Sequence, residues 1–466
     1  MSADPKVLFA TAEFAPVVKV GGLSEASQGL VSCLRSLDLN IDVVIPDYGM
    51  IPLVESRRFR LDGLPDWVPT TTVRVGVAEG AGELILVNFE GIERQHPYVD
   101  PATATGWPDN DFRFMAFSAV VARLADYLDV DILHCNDWHT AAALGWLHRS
   151  RKSVLTVHNL AYQGHADPAW LHRFDDHAEA FHEQGSYNPL AGGMSIADRI
   201  VMVSRTYARE ALRVDGGFGL HHRLVARGDD LSGIRNGIDP GLWDPAEDPL
   251  LPANFSADDL GGKELCRKEL SARAELPVGK GPIIGVVARF VHQKGIDLAL
   301  DLAPYLGGVP AQLVIIGSGS PELTRHAQDI ADTYPNVVSV FPGYDERLAH
   351  LVVAGSDLLL VPSRFEPCGL TQMQAMSCGT IPVVTDVGGL RDTVIDTDKT
   401  PRAGTGFVAD SPTPLSLLDA IHRAARGWGN PRRRTAVQRR GMTADWSWVI
   451  PSQSYIALYE ELLAEY

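Results

Sequence analysis

The chain has 466 residues, 45% hydrophobic and 21% charged, with a formal charge of −17. That length exceeds one ordinary hydrophobic core and predicts two domains in a water-soluble globular protein. The negative balance excludes a general nucleic-acid binder, while local cations can still hold a small anionic ligand. Five cysteines, Cys33, Cys135, Cys266, Cys368 and Cys378, form no CxxC pair. They read as reduced thiols of a cytoplasmic protein rather than a disulfide frame. The opening Met-Ser-Ala-Asp lacks the basic run of a signal peptide. No apolar stretch reaches the roughly 18 residues of a membrane span, so no membrane partner is expected.

In chain order, short apolar runs alternate with amphipathic ones. Strands are predicted at 7–10, 43–45, 84–89, 132–135, 154–157 and 200–203 in the first half. In the second half they fall at 283–287, 313–316, 337–341, 358–361 and 381–384. Between them lie helical patterns such as Leu30, Val31, Leu34 and Leu37, spaced for one helix face. Alternating β and α elements predict an α/β fold of parallel sheets covered by helices on both faces. Residues 240–282 break the pattern with Asp239-Pro-Gly-Leu-Trp-Asp-Pro245 and a second Pro-Gly stretch over 276–282, and the hinge is placed there. A last helix is predicted over 451–466, after Trp446-Ser-Trp448.

Several strand ends carry residues suited to chemistry. Lys19-Val-Gly-Gly-Leu23 follows the first strand; adjacent glycines permit positive φ and close backbone approach, and Lys19 adds a cation. The competing reading is a tight turn with a solvated lysine. Ser24 is placed to cap the helix that follows. Asp137 suits a helix N-cap, and Trp138 offers a ring that can stack on a sugar face. His158 ends a strand and reads first as a buried, satisfied histidine. Arg289 and Lys294, five residues apart, either reach a diphosphate together or are plain surface charges. Gly317-Ser-Gly-Ser lacks the third glycine of a dinucleotide fingerprint and reads as a strand-to-helix turn. His221-His222 and the other histidines show no metal-ligand spacing. The most informative segment is Pro362-Ser-Arg-Phe-Glu-Pro-Cys-Gly-Leu-Thr371, which follows the apolar run 358–361. The next strand also ends in glycines, Gly388 and Gly389. Ligands of open parallel sheets bind at the carboxyl ends of strands, where glycines and helix N-termini accept phosphate. A carboxylate there would repel phosphate, so Glu366 reads as an acceptor for hydroxyls. A phosphate cradle beside a hydroxyl reader suggests a sugar nucleotide.

Glu366-Pro-Cys-Gly-Leu370 resembles the donor-site signature of bacterial glycogen synthases and plant starch synthases. Lys19-Val-Gly-Gly-Leu23, Asn136-Asp-Trp-His139, His158-Asn-Leu-Ala-Tyr-Gln-Gly164, Asn236-Gly-Ile-Asp239 and Arg289 with Lys294 match in the same order. The resemblance runs from about residue 6 to the end. It implies the GT-B architecture, two Rossmann-like doubly wound domains facing a central cleft. The expected bounds are 1–243 for the acceptor-side domain, 244–445 for the donor domain, and 446–466 for a helix crossing back to the first. It implies retaining transfer of glucose from ADP-glucose to the non-reducing end of an α-1,4-glucan. It implies catalytic roles for His158, Arg289, Lys294 and Glu366. The two cations would neutralise the leaving nucleoside diphosphate, so no metal or other cofactor is expected. Substrate contacts are implied at Lys19, Gly21, Gly22, Glu25, Asp137, Trp138, Asn159, Gln163, Asn236, Cys368, Gly369, Leu370, Thr371, Gly388 and Gly389. From the residues alone Cys368 reads as a small packed side chain. The chain departs from the family at Ser24-Glu25, across Phe181-His-Glu-Gln-Gly-Ser-Tyr-Asn188, at Arg235, at Gln374 and at Ser377-Cys378. These departures keep open a specialised transferase using another nucleotide sugar or a small sugar or pseudosugar acceptor. A catalytically silent sugar-nucleotide sensor is the third reading.

Overall fold

The computed structural model describes residues 5–103, 105–277, 279 and 281–465. Residues 1–4 of the opening segment, Val278 and Lys280 of the predicted linker, and Tyr466 lie outside the described residues. The chain forms two compact units, one reaching Gly237 and resuming at Trp448, the other spanning Ile238–Ser447.

Among the described residues, the first unit holds a nine-stranded sheet. Its strands are β1 Lys6–Ala10, β2 Asn40–Pro46, β3 Val54–Leu61, β4 Thr71–Ala78, β5 Gly82–Asn88, β6 Ile132–Asn136, β7 Lys152–Val157, β10 Arg199–Met202 and β11 Leu231–Gly233. Two short strands, β8 His182–Glu183 and β9 Ser186–Tyr187, form a separate hairpin. The sheet order is β11-β10-β7-β6-β1-β2-β5-β4-β3. β1 pairs in parallel with β2 on one side and β6 on the other, so the order reverses at β1. Buried parallel strands read as continuous apolar runs, which is why β1, β2, β5, β6, β7 and β10 were predictable and the short, half-buried β11 was not. β3 and β4 depart from the all-parallel expectation: β4 adds to β5 antiparallel, and β3 adds to β4 antiparallel. Their signal is weak because β3 is charged and mostly exposed, with Glu55, Arg57, Arg58 and Arg60 along the sheet edge. Such charge discourages further pairing at an edge.

The terminal helix, Val449–Ala464, belongs to this unit, and Tyr455, Tyr459 and Leu462 enter its core. Tyr459 Oη meets His134 Nδ1 at 2.6 Å, and Tyr455 Oη meets Thr156 Oγ1 at 3.2 Å. Trp448 packs on Gly29, where an added Cβ would fall 2.1 Å from the indole nitrogen.

The second unit holds β12 Ile283–Val287, β13 Gln312–Gly317, β14 Val338–Pro342, β15 Leu358–Val361, β16 Ile381–Thr385 and β17 Phe407–Ala409. All pair in parallel in the order β14-β13-β12-β15-β16-β17. The order reverses between β12 and β15. The division at Gly237 precedes the expected bound at 243, and the described residues of 240–282 belong to this unit. The reason is side-chain anchoring: Trp243 stacks on His350 at 4.1 Å, and Asp248 Oδ2 meets His350 Nδ1 at 2.7 Å. Lys263 is likewise buried, donating to Ala354 O, Cys378 O and Thr380 Oγ1. All five cysteines are free thiols. No helix of the described residues is long and apolar enough to cross a membrane.

Candidate active site

In doubly wound sheets the ligand crevice lies outside the carboxyl ends of the strands where the order reverses. In the first unit those ends are β1 and β6. The loop after β1 is tied by Glu13, whose Oε2 accepts from Val20 N (3.0 Å) and Gly21 N (2.9 Å). Glu13 Oε1 accepts from Tyr98 Oη at 2.6 Å. Lys19 Nζ lies 3.1 Å from Glu25 Oε1 in the first turn of helix Gly22–Ser36. Gly21 is extended at φ −154° rather than left-handed. A Cβ built there meets nothing within 4 Å, so the backbone faces open space. Ser24 does not cap the helix: its hydroxyl lies inside the first turn and donates to Gly21 O at 2.7 Å.

After β6, Asp137 takes the N-cap position without capping, because its carboxylate crosses to the next strand end. Oδ1 accepts from His158 N at 2.6 Å and Asn159 N at 3.3 Å. Burial pushes the Asp137 carboxyl up to about 7 against those two N–H groups, and nearby Glu13 adds to the rise. His158 Nε2 lies 2.9 Å from Asn136 Oδ1, while Asn136 Nδ2 donates to Ala10 O. The amide orientation makes Nε2 the donor and leaves Nδ1 as an acceptor. Desolvation lowers this imidazole to about 3, so it is neutral at pH 7. Trp138 lies edge-on to Phe114, with ring centres 5.0 Å apart. A Cβ on Gly164, at φ +74°, would meet the Trp138 ring at 2.3 Å, so only glycine fits. Gln163 is committed to the protein: it donates to Leu160 O and Phe218 O and accepts from Asn188 Nδ2. Asn159 Oδ1 accepts from Ala161 N, and Asn236 is buried with its carbonyl bound by Arg235.

In the second unit the reversal sets the loops after β12 and β15 side by side. Arg289 is exposed at the end of β12. Arg364 clasps the two loops, donating to His292 O (2.9 Å) and to both Asp297 oxygens (2.8 and 2.5 Å). The same guanidinium holds the Asp297 carboxyl below its usual range. Gly295 has φ +64°, and a Cβ there would sit 2.1 Å from Pro362 O. That close approach brings Lys294 Nζ to 2.6 Å from Glu366 Oε2, which also accepts from Ser363 Oγ at 2.8 Å. The neighbouring lysine cancels the carboxylate charge that would otherwise repel phosphate.

Downstream, Gly369 turns at φ +75° before helix Thr371–Ser377, with Leu370 at its N-cap. Gly388, at φ +43°, opens helix Gly388–Thr393. Gly389 N donates to Glu366 O at 3.0 Å, and a Cβ on Gly389 would meet Cys368 O at 2.2 Å. Cys368 and Gln374 are buried. The structure therefore gathers Arg289, Lys294, Glu366 and both glycine turns in one unit. Lys19, Asp137 and His158 lie at strand ends of the other.

Sequence reading passed over Glu13, Tyr98, Ser363, Arg364 and Tyr344. Tyr344, 60% exposed, follows β14 directly after Gly343, whose N–H donates to Gly317 O at the end of β13. An exposed aromatic at a strand's carboxyl end was the signal that could have found it.

The family model for the starch synthase catalytic domain matches residues 6–226, and that for glycosyl transferases group 1 matches residues 268–440. A glycogen synthase of Thioalkalivibrio sulfidiphilus is 39% identical over 98% of this chain and 100% of its own length. One from Halorhodospira halophila is 40% identical over 98% and 99%. Among solved structures, the catalytic domain of starch synthase IV from Arabidopsis thaliana, bound to ADP and acarbose, superposes with TM-score 0.89 and 30% identity. That match covers 99% of this chain and 100% of the other. Sucrose-phosphate synthase from Thermosynechococcus elongatus, 19% identical with TM-score 0.61 over 99% of this chain and 100% of its own, shares the fold. The chain belongs to the glycogen synthase and starch synthase family of GT-B glycosyltransferases.

Proposed function

We propose that this protein moves glucose, with retention, from ADP-glucose to the non-reducing end of an α-1,4-glucan. The observation that carries the reading is the second unit's switch point. There exposed Arg289 follows β12, and Lys294 on the same loop neutralises the Glu366 carboxylate, in the unit that also holds the two glycine turns. Arg289 offers planar bidentate donors to a diphosphate, and Lys294 a compact charge. Glu366 keeps acceptor capacity for sugar hydroxyls. Tyr344 offers a face for a base. The glycogen synthase relatives and the ADP-bound starch synthase support adenine and a glucan.

In the step, the bond from the anomeric carbon to the diphosphate breaks and the acceptor oxygen bonds on the same face. The acceptor proton passes to the departing phosphate. Arg289 and Lys294 stabilise the charge that develops, and the reading assigns that role to them rather than to a metal. Neutral His158 offers an acceptor nitrogen to a hydroxyl. The reading places the protein in the cytoplasm, where free thiols persist.

A second reading, a small sugar acceptor, is favoured by the hairpin His182–Tyr187. Arg223 clamps it through Glu183 Oε2 (2.7 Å) and His182 O (2.6 Å), and Tyr187 walls the small cavity at Trp138. The test is ADP release from ADP-glucose with and without glycogen or maltooligosaccharides. Glucan-dependent release, reduced roughly 10²–10³-fold in folded Arg289→Ala, is expected. No release from folded protein with any glucan would transfer the assignment to the second reading.

A further inference from the structure

We propose that partly exposed aromatic rings on the first unit form an outer track for an α-glucan chain, continuous with the cavity at Trp138. The proposal rests on the glucan-acceptor reading above. Trp170 and Trp67 have ring centres 5.7 Å apart, and Trp67 and Trp146 5.9 Å. Phe112 extends the row, 6.4 Å from Trp170. The four rings come from four separate segments of the chain, and all remain partly exposed. Their inner faces have a firm base, since Trp146 stacks on buried Phe174 at 4.4 Å.

Two of the polar ring edges are fixed. Trp170 Nε1 donates to Asp111 Oδ2 at 3.0 Å, and Trp146 Nε1 donates to Arg173 O at 2.9 Å. The Arg173 guanidinium lies 5.5 Å from the Trp67 ring centre. Asp111 is the joint, because it also lines the small cavity shared by Trp138 and Tyr187. A glucan presents apolar C–H faces edged by hydroxyls. Packed rings, two of them held by hydrogen bonds, with a carboxylate and a guanidinium among them, match that pattern at little entropic cost. A neutral polysaccharide is indifferent to the net charge of −17, which disfavours an acidic partner here.

The test uses the full chain carrying Trp67→Leu and Trp170→Leu, since leucine keeps apolar packing beneath. Affinity electrophoresis in native gels containing glycogen reads binding without turnover. ADP release reads KM for glycogen against maltotriose, whose three sugars span fewer of the rings than a glycogen chain does. The double variant should bind glycogen roughly five- to tenfold more weakly, with kcat and the maltotriose KM unchanged. If the double variant does not fold, Trp67→Leu alone should weaken glycogen binding roughly two- to threefold. Wild-type glycogen affinity in a folded variant, or an equal rise in both KM values, overturns the track. If wild-type protein binds glycogen through these tryptophans yet releases no ADP with it, the transfer reading fails and the track stands.

Discussion

Replacing Lys294 by alanine separates charge stabilisation from scaffolding at the candidate donor site. Lys294 Nζ and Glu366 Oε2 are 2.6 Å apart, with side chains 20% and 5% exposed. Removing one partner of a fully buried pair costs roughly 3–5 kcal/mol, because the other charge is stranded. Lys294 keeps some contact with water and Ser363 still donates to Glu366, so about 2 kcal/mol is expected here. For a unit of this size that lowers its apparent melting temperature by roughly 4–8 °C. Turnover should fall roughly 10²–10³-fold, as when one transition-state donor is lost. Adding Glu366→Gln removes the stranded charge. The double variant should therefore regain most of the lost stability and none of the turnover. ADP release under saturating ADP-glucose, alongside thermal unfolding of the same preparations, reads both quantities. Turnover that recovers together with stability would refute the reasoning, since Lys294 would then serve only to hold Glu366.

Asp137 predicts a pH dependence. Its folded carboxyl sits near 7, above the ordinary range, so the folded state binds the extra proton between about 4 and 7. Its contribution is full below about 4 and is lost as pH rises to about 7. Asp137→Asn should flatten that slope and gain stability relative to wild type at pH 8; parallel urea-unfolding profiles from pH 5 to 8 would contradict this. Gly295→Ala should destabilise the second unit by roughly 1–3 kcal/mol and weaken ADP binding, because φ is +64° and Pro362 O blocks a Cβ; calorimetric unfolding and ADP titration check it. Tyr344→Ala should weaken ADP binding roughly two- to tenfold at unchanged melting temperature, and equal affinity would remove Tyr344 from the base site.

The alternation of apolar and amphipathic runs carried most of both sheets, because strands buried on both faces leave runs such as 283–287 and 358–361 that need no partner to be recognised. β3 was hidden because an edge strand with exposed arginines looks like any polar segment. The glycine turns and the cation pair were legible as residue types at strand ends. Their mutual arrangement was not: Lys294 and Glu366 are 72 residues apart, and Glu13 and Tyr98 are 85 apart. Gln163 sits in a motif that reads as a substrate contact, yet the fold turns its amide inward to Asn188. Ser24 and Asp137 look like caps in sequence, but one donates backward to Gly21 and the other crosses to the next strand. Local composition determines which segments become strands, helices and turns, since those choices depend on neighbours a few residues away. Which charged and polar groups meet depends on strand order, and strand order is settled only when the whole sheet has packed.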